Sequence, residues 1–377
     1  MRAYALLWLG LAMSVAAAPA DAGEAKRSGF GRLPNGQAVE MVTLTNRAGV
    51  SAGVITYGAS IQSVLLPDGT GKPVDVAIGY PTLDEYLAKP QYFGSTVGRF
   101  ANRIARGRFV LDGRAYQAPV NNGENSLHGG TQGFDKVNWT ITSVKSGPTA
   151  SVTMRYVSPD NDQGYPGKLT VDCTYSLDER NALTIEYRAT TDAPTIVNIT
   201  NHAYWNMAGE GSPEGAMGHL VTIPADTFLP TDAGAIPTGE FRSVAGTPFD
   251  FRQPRAVGER VRDARDQQIL FGRGYDHNWV VGREVTQGLH LMARVAHPSG
   301  RGFELLSNQP GLQFYSGNFL DATSTGKSRN ILRMGDALVF EPQIFPDTPN
   351  RPEFGSARLA PGQTYRNVIV YRFTTGR

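Results

Sequence analysis

The feature that most constrains this fold is a repeated alternation of apolar and polar residues. The segment KLTVDCTYSLDERNALTIEYRATT carries it on both sides of a turn at Asp178–Asn181. Successive side chains of a β-strand point to opposite faces, so this period predicts two antiparallel strands with one buried face each. The alternation recurs in ASVTMRYVS, LHLMARVAH, GFELLSN and TYRNVIVYRF, which are rich in β-branched and aromatic residues. These segments predict an all-β fold.

Turn signals separate the predicted strands. In RFVLDGRAYQA the pair Asp112-Gly113 joins two short runs, which is a strong signal for a two-residue hairpin. Helical pattern is confined to two short segments, Leu83–Ala88 and Ala256–Asp263. The sequence contains no fixed-period repeat and no Pro/Ser-rich linker. We therefore predict one large antiparallel β-sandwich with few short helices, formed as a single domain by residues 23–377.

The first 22 residues have the pattern of a secretory signal peptide. Arg2 supplies the positive start, Ala5–Ala18 the apolar run, and the small residues Ala20–Ala22 a cleavage site. Cleavage after Ala18 and cleavage after Ala22 both fit. The alternative is a membrane anchor, but the apolar run is short for a bilayer span. The expectation is an exported protein, periplasmic or secreted, without a stable membrane anchor after cleavage.

Charge and cysteine content exclude several classes of protein. The formal net charge is only +2 over 377 residues, so no overall field attracts nucleic acid. The single cysteine, Cys173, can form no internal disulfide, and its alternating neighbours place it on one face of a strand, chemically idle. A His-Glu-x-x-His pattern, a Gly-x-Ser-x-Gly elbow and a glycine-rich phosphate loop are all missing from the sequence. We predict no metal and no cofactor.

Polar residues in two glycine-containing segments could contact a ligand. In GRFANRIARGRF, Asn102 and Arg103 are flanked by small and apolar residues and could direct planar donors at hydroxyl groups. The alternative is a solvated basic edge. In NSLHGG, His128 precedes two glycines, where the backbone can approach a ligand closely. The alternative there is a histidine that stabilises a turn.

Three later segments carry further candidates. GYDHNW places Asp276 beside aromatic residues, a combination that can hold a sugar ring by its apolar face and its hydroxyls. PGLQFYSGNFL places Gln313 between apolar residues. In FEPQ an apolar strand runs directly into Glu341, where lost solvation would raise the carboxyl pKa and make a better base. The alternative for Glu341 is a strand end that meets water.

The segment TNHAYWNMAG supplies a histidine among aromatic residues. If it continues the strand TIVNI, then Thr200, His202 and Tyr204 share one face. An imidazole can both give and take a proton near neutral pH. The alternative is a core histidine with satisfied hydrogen bonds.

In their order along the chain, these six segments resemble the aldose 1-epimerase family, the mutarotases. They extend from Gly98 to Gln343. The resemblance implies a mutarotase-like β-sandwich with a sugar cleft, and an isomerase that acts on free aldohexoses such as glucose and galactose. It implies His202 as general acid and Glu341 as general base. It also implies that five residues bind sugar hydroxyls, namely Asn102, Arg103, His128, Asp276 and Gln313. Tyr204 is implied as a neighbour of the site. The predicted export signal is a departure, since many members are cytoplasmic.

The implied reaction needs only proton transfers. A base takes the proton of the C1 hydroxyl, an acid protonates the ring oxygen, and the pyranose opens to an aldehyde. Rotation about C1–C2 and closure on the other face give the other anomer. The hydroxyl ligands would hold the open chain until it closes.

Three other functions remain open at this point. A hexose-6-phosphate epimerase would need extra Lys or Arg near the 6-position, and only the group Arg99–Arg108 is apparent. A non-catalytic carbohydrate-binding β-sandwich would need no acid/base pair. A glycosidase would use Asp276 and Glu341 as its two carboxylates. The sequence decides neither the preferred aldose nor the oligomeric state.

Overall fold

The computed structural model describes residues 23–376. The predicted signal peptide lies outside the described residues, so export stays a prediction. That residues 23–377 form one domain also stays a prediction. Within residues 23–376, no helix is both long and apolar enough to cross a bilayer.

Strands dominate the described residues, and helices are few and short. In chain order, strands β1 to β10 are Glu24–Arg32, Ala38–Thr45, Ser51–Ile55, Ser60–Pro67, Pro73–Asp75, Ser95–Val97, Arg103–Ile104, Arg108–Leu111, Arg114–Gln117 and Ser126–Leu127. Strands β11 to β20 are Thr140–Lys145, Thr149–Ser158, Leu169–Asp178, Ala182–Thr191, Thr195–Ile196, Thr200–His202, Tyr204–Trp205, Leu220–Thr222, Thr227–Leu229 and Arg242–Ser243. Strands β21 to β30 are Arg255–Ala256, Asp276–Val280, His290–Ala296, Gly302–Ser307, Gly311–Tyr315, Asp321–Thr325, Ile331–Arg333, Leu338–Gln343, Arg358–Leu359 and Tyr365–Thr374. The α-helices are α1, Leu83–Ala88, and α2, Gln267–Gly272.

The all-β prediction is confirmed, and the strongest strand signals are found where they were predicted. Strands β13 and β14 pair in antiparallel register on either side of the turn at 178–181. Strands β8 and β9 form the predicted hairpin, in which Asp112 and Gly113 both have positive φ, 49° and 80°. Positive φ at both central residues is what a tight hairpin turn of this kind requires. Cys173 is buried on β13 within the core.

One of the two predicted helices is correct. Helix α1 has the predicted bounds, and the Thr82 side chain caps it by accepting from the backbone N–H of Glu85. The prediction of a helix at 256–263 is wrong. Ala256 belongs to the edge strand β21, which pairs with β18, and only Val257–Glu259 form a 3-10 turn. The Arg260 guanidinium then donates to the carbonyls of Thr247 and Asp250, which ties the segment to a loop.

Three antiparallel sheets make up most of the fold. The largest has nine strands in the order β11-β12-β13-β14-β30-β24-β23-β18-β21. A six-stranded sheet has the order β17-β28-β25-β22-β19-β20, and a five-stranded sheet runs β1 to β5 in sequence order. The nine- and six-stranded sheets pack through aromatic side chains, as in the contact of Phe303 with Phe340 at 5.6 Å between ring centroids. This packing is that of a large antiparallel sandwich.

The six-stranded sheet has two faces of different chemistry. Phe314 of β25 and Phe340 of β28 stack 4.8 Å apart within the main core. Because side chains alternate along a strand, the residues next to these two in sequence face the other way. That second face carries a row of register partners from β22, β25 and β28, namely Asn278, Gln313 and Glu341. A buried polar row on a sheet face is the starting point of the site.

Candidate active site

A cleft of about 1290 Å³ opens above the polar face of the six-stranded sheet. Seven of the eight predicted site residues line it: Asn102, Arg103, His128, His202, Tyr204, Asp276 and Glu341. The eighth, Gln313, does not line the cleft but lies beneath its floor, in contact with Asp276. Segments that are far apart in sequence therefore converge on one cavity.

Hydrogen bonds connect the polar side chains of the cleft floor. Gln313 donates through Nε2 to Oδ1 of Asp276 at 2.8 Å and accepts at Oε1 from Asn278 at 3.3 Å. The second carboxylate oxygen of Asp276 lies 3.8 Å from Nη1 of Arg103. Arg103 in turn donates through Nε to Asn122 at 3.0 Å. The hydrogen bond from Gln313 uses one carboxylate oxygen of Asp276. Because Asp276 also lines the cleft, its carboxylate can accept a hydrogen bond from a ligand hydroxyl.

His202 and Glu341 face each other across a short gap. Nε2 of His202 lies 3.7 Å from Oε1 of Glu341, and the two residues are only 6% and 2% exposed. Among the described residues, neither Nδ1 of His202 nor Oε2 of Glu341 has a hydrogen-bond partner. Buried polar atoms are normally paired, so each member of this pair keeps hydrogen-bonding capacity that the described residues do not use.

Burial shifts both groups toward their uncharged forms. Loss of solvation lowers the pKa of His202 to about 4. Loss of solvation, with a smaller contribution from the Asp276 carboxylate, raises the pKa of Glu341 well above its ordinary value, while Arg103 opposes the rise. In the ligand-free protein the pair therefore holds its shared proton on Glu341. The raised pKa of Glu341 agrees with the expectation from the sequence.

Three tyrosine rings surround the ring of His202. The ring of His202 lies 5.1 Å from Tyr204 and 5.6 Å from Tyr92, centroid to centroid. Tyr315 of β25 lies 6.4 Å away on a further side. The shared face of His202 and Tyr204 was predicted from strand alternation. The continuous strand was not found, because residues 197–199 separate β15 from β16.

Two loops bring Asn102 and His128 together. The backbone N–H of Asn102 donates to Nδ1 of His128 at 3.1 Å, and the backbone N–H of His128 donates to the Asn102 carbonyl at 3.0 Å. The side-chain oxygen of Asn102 accepts from the backbone of Arg103 at 2.8 Å. Asn102 and His128 both have positive φ, 61° and 50°.

Unusual backbone conformations are concentrated around this cleft. Of the fourteen non-glycine residues with positive φ in the described chain, seven line it. They are Tyr92, Asn102, Arg106, His128, Ala235, Arg273 and Asp347. Such conformations cost free energy and gather at functional sites.

Sequence reasoning missed three residues of the site. Asn278 lies two positions after Asp276, on the same strand face, and the period of two could have found it. Asn122 accepts a hydrogen bond from Arg103, and no local sequence pattern indicates this role. Tyr92 contacts both His128 and His202, at 4.8 and 5.6 Å, and its loop has no pattern that would reveal this.

The site also contains a set of potential metal ligands. His128, His202 and Glu341 each place one ligand atom within 4.8 Å of the others. Nδ1 of His128 is already used by the Asn102 backbone, which leaves the neutral ring with its proton on Nε2 and without a second lone pair. The chemistry of this donor set does not favour a metal. Metal-independent activity stays a prediction, and chelation tests it.

Comparison with known proteins identifies the family of this chain. A sequence model described as aldose 1-epimerase matches residues 40–372. The chain belongs to the aldose 1-epimerase family. Galactose mutarotase from Rattus norvegicus is 43% identical over 350 residues, covering 92% of this chain and 98% of the relative. Aldose 1-epimerase from Escherichia coli K12 is 36% identical over 345 residues, covering 90% and 96%.

Solved structures of the aldose 1-epimerase family are also similar. Galactose 1-epimerase from Lactobacillus acidophilus NCFM superposes with a TM-score of 0.83 at 29% identity, covering 94% of this chain and all of that one. An aldose epimerase homologue from C. elegans gives 0.81 at 33% identity, covering 90% and 100%. The predicted mutarotase-like fold and the predicted enzyme class, an isomerase acting on carbohydrates, are confirmed.

Proposed function

We propose that this chain interconverts the α and β anomers of free aldohexoses, with His202 and Glu341 as the pair that moves the protons. The observation that carries the proposal is the gap of 3.7 Å between His202 Nε2 and Glu341 Oε1, at the floor of a cleft lined by hydroxyl-binding side chains. Ring opening moves one proton off the C1 hydroxyl and one onto the ring oxygen. An acid and a base that face the same small space can serve both.

The proton inventory of the pair fits this reaction. In the proposed roles Glu341 begins as the carboxylate and His202 as the imidazolium. Ring opening leaves Glu341 protonated and His202 neutral, which is the uncharged arrangement that burial favours. The desolvated site thus stabilises the state that accompanies the open-chain sugar. Closure on the other face returns both protons.

The protonation state of the pair in the ligand-free protein differs from its state at the start of the reaction by one proton transfer, from Glu341 to His202. With the shared proton on Glu341, the predicted roles require it to pass to His202 once the sugar is bound. Oxygen atoms of a bound sugar supply a path between the two groups. The active enzyme is therefore the singly protonated pair, and the two ionisations that bound this state belong to the pair and not to one residue.

The remaining cleft residues are proposed to hold the sugar. Asp276 offers a carboxylate oxygen to a hydroxyl, and Arg103 offers guanidinium donors beside it. His128 and Asn102 also line the cleft. Gln313, predicted as a direct ligand, donates to Asp276 from behind. Together they would keep the flexible open chain from diffusing away.

The rival functions are less well supported. A carbohydrate-binding module needs no buried acid/base pair, and this cleft has one. A phosphosugar would favour an excess of positive charge, yet the cleft is lined by five arginines and five carboxyl groups, namely Arg103, Arg106, Arg108, Arg273 and Arg351 with Glu124, Asp232, Asp276, Glu341 and Asp347. A glycosidase would need an ionised and a protonated carboxyl across the scissile bond, whereas the group that faces Glu341 at 3.7 Å here is the His202 imidazole. Free sugar remains the proposed substrate.

Polarimetry tests the proposal. The enzyme, treated with a chelator and dialysed, is added to freshly dissolved α-D-glucose and to α-D-galactose, and the decay of optical rotation is followed against buffer alone. We expect faster decay without added metal or nucleotide. Activity restored only by a divalent metal would contradict the metal-free account. Turnover of glucose 6-phosphate but not of glucose, or release of sugar from a glycoside, would favour a rival.

Export to the periplasm or medium is proposed on the signal pattern of the first 22 residues. Mass spectrometry of the native protein should find an N-terminus at Pro19 or Gly23. An intact Met1 in a cytoplasmic fraction would refute it.

A further inference from the structure

His128 differs from His202 in how its ring is held. Nδ1 of His202 has no hydrogen-bond partner among the described residues, whereas Nδ1 of His128 accepts the Asn102 backbone N–H at 3.1 Å. A neutral imidazole has one N–H and one lone pair. Because the lone pair of His128 is at Nδ1, its hydrogen is on Nε2.

The backbone around this contact is built to hold it. The two residues exchange hydrogen bonds, since the His128 N–H also donates to the Asn102 carbonyl at 3.0 Å. Both adopt left-handed conformations, with φ of 61° and 50°. After His128, a Cβ on Gly129 would lie 2.0 Å from the Gly98 carbonyl oxygen, so this loop is closely packed. The N–H of Asn102 is therefore fixed in direction.

We propose that the backbone N–H of Asn102 locks His128 in the Nε2–H tautomer, so that His128 gives the sugar a hydrogen-bond donor and takes no part in proton transfer. The proposal rests on the proposed function for the identity of the ligand. Asn102 is the positioning residue, acting through His128. The ligand atom that His128 suits is an acceptor oxygen of the sugar.

The surroundings of His128 oppose its protonation. An imidazolium would direct a second N–H, at Nδ1, against the Asn102 N–H. The positively charged groups that face it are Arg103 and Lys136, and the ring is 5% exposed. Burial and then the neighbouring His202, Arg103 and Lys136 hold its pKa well below the ordinary value. The ring edges of Tyr92 and His202 close two further sides, and Glu341 is the acidic group of this cluster.

The contact with the Asn102 backbone also determines which atom of His128 can donate to a ligand. With Nδ1 occupied, Nε2 is the polar atom left to face the cleft. His128, His202 and Glu341 each have a polar side-chain atom within 4.8 Å of the others, and the two imidazole rings are perpendicular at 5.2 Å. A sugar oxygen in this space meets one fixed donor and one exchangeable acid/base pair. A fixed neutral donor stabilises developing charge on oxygen without competing for the proton.

Nitrogen-15 NMR of the imidazole rings in the ligand-free protein tests the lock. The signals of His128 are identified by their loss in His128→Gln. We expect a protonated Nε2 and an unprotonated Nδ1, unchanged from about pH 5.5 to 9, the range in which an ordinary histidine titrates. An Nδ1–H tautomer, a mixture, or titration to the imidazolium would overturn the proposal. Because no substrate is present, this result is independent of whether the protein is a mutarotase.

Two variants at position 102 separate the backbone contact from the side chain. Asn102→Gly keeps the N–H and tolerates positive φ, so the His128 signature should persist. Asn102→Val disfavours positive φ, so the contact should weaken and the ring should show both tautomers. Loss of the signature in the glycine variant, or its full retention in a folded valine variant, would contradict the lock. If Asn102→Val does not fold, the wild-type and glycine spectra still decide.

Discussion

The amide of Gln313 donates a 2.8 Å hydrogen bond to Asp276 on the neighbouring strand, and so holds a carboxylate that faces the cleft. Asp276→Asn removes the charge from a hydroxyl acceptor, and a hydrogen bond to a charged group contributes about 1.5–3 kcal/mol. We expect KM to rise roughly ten- to a hundred-fold, with a smaller change in kcat. Gln313→Leu should raise KM less, because it only frees Asp276 to move.

Initial rates over a range of sugar concentrations, measured by polarimetry, check these values. Asp172→Asn, on the partly exposed face of β13 where Asp172 pairs with Arg155, is the matched control and should leave KM unchanged. Equal KM values for Asp276→Asn and wild type would remove Asp276 from the sugar site.

Glu341→Gln should keep the fold and most of the sugar affinity while removing the base. General acid/base groups contribute roughly 10²–10⁴ in rate, so kcat should fall by that factor. Glu304→Gln, a partly exposed strand carboxylate paired with Arg294, is the control. If Glu341→Gln turns over at the wild-type rate, Glu341 is only a buried carboxylate within β28.

The pH dependence of the rate should be bell-shaped, because only the singly protonated pair is active. Acid adds a second proton to the pair, and the lowered pKa of His202, about 4, opposes that addition. Alkali removes the last proton, held in the ligand-free protein by the raised pKa of Glu341. We expect kcat/KM to lose its acid limb in His202→Asn; a limb that persists unshifted would assign it to another group.

Buried neutral histidines should make the protein less stable in acid. Burial lowers the pKa of His277 to about 3, below the 6.5 of an unfolded histidine. Between these two pKa values the unfolded chain binds more protons than the folded one. The free energy of unfolding therefore rises with pH in this range and is lost as the pH falls from about 6.5. His277→Gln, which lies outside the cleft lining, should therefore show a shallower fall of Tm between about pH 6.5 and 4. An unchanged slope in calorimetric melts would contradict the lowered pKa.

The strands were predictable because their signal is local. Alternation in residues 168–191 and the Asp112-Gly113 turn are properties of a few adjacent residues, and burial of one sheet face follows from them. The segment 256–263 was misread because its apolar spacing suits a short helix, whereas pairing with β18 and the Arg260 contacts are tertiary. Local pattern cannot anticipate a competing partner distant in sequence.

The sequence predicted residues that the structure brings to one cleft, but it did not predict the hydrogen bonds that connect them. Residue types and their segments identified the cleft lining, yet Gln313 turned out to support Asp276 and not to line the cleft. The Tyr92 ring over both histidines depends on a left-handed backbone, as does the Asn102 contact with His128. Such conformations are fixed by surrounding packing, so side-chain type alone does not reveal them.

The central claim, that His202 and Glu341 act as one pair, is tested most directly by a double-variant cycle. Single-turnover decay of optical rotation is measured for His202→Asn, Glu341→Gln and the double variant, each with its Tm. Groups that act as a unit lose most of their effect when either is removed. We predict that each single variant is slower by roughly 10²–10⁴, that the double variant is hardly slower than the worse single one, and that Tm changes little. Losses that multiply in the double variant, or a His202→Asn protein that melts early while its folded fraction keeps the wild-type rate, would contradict the account.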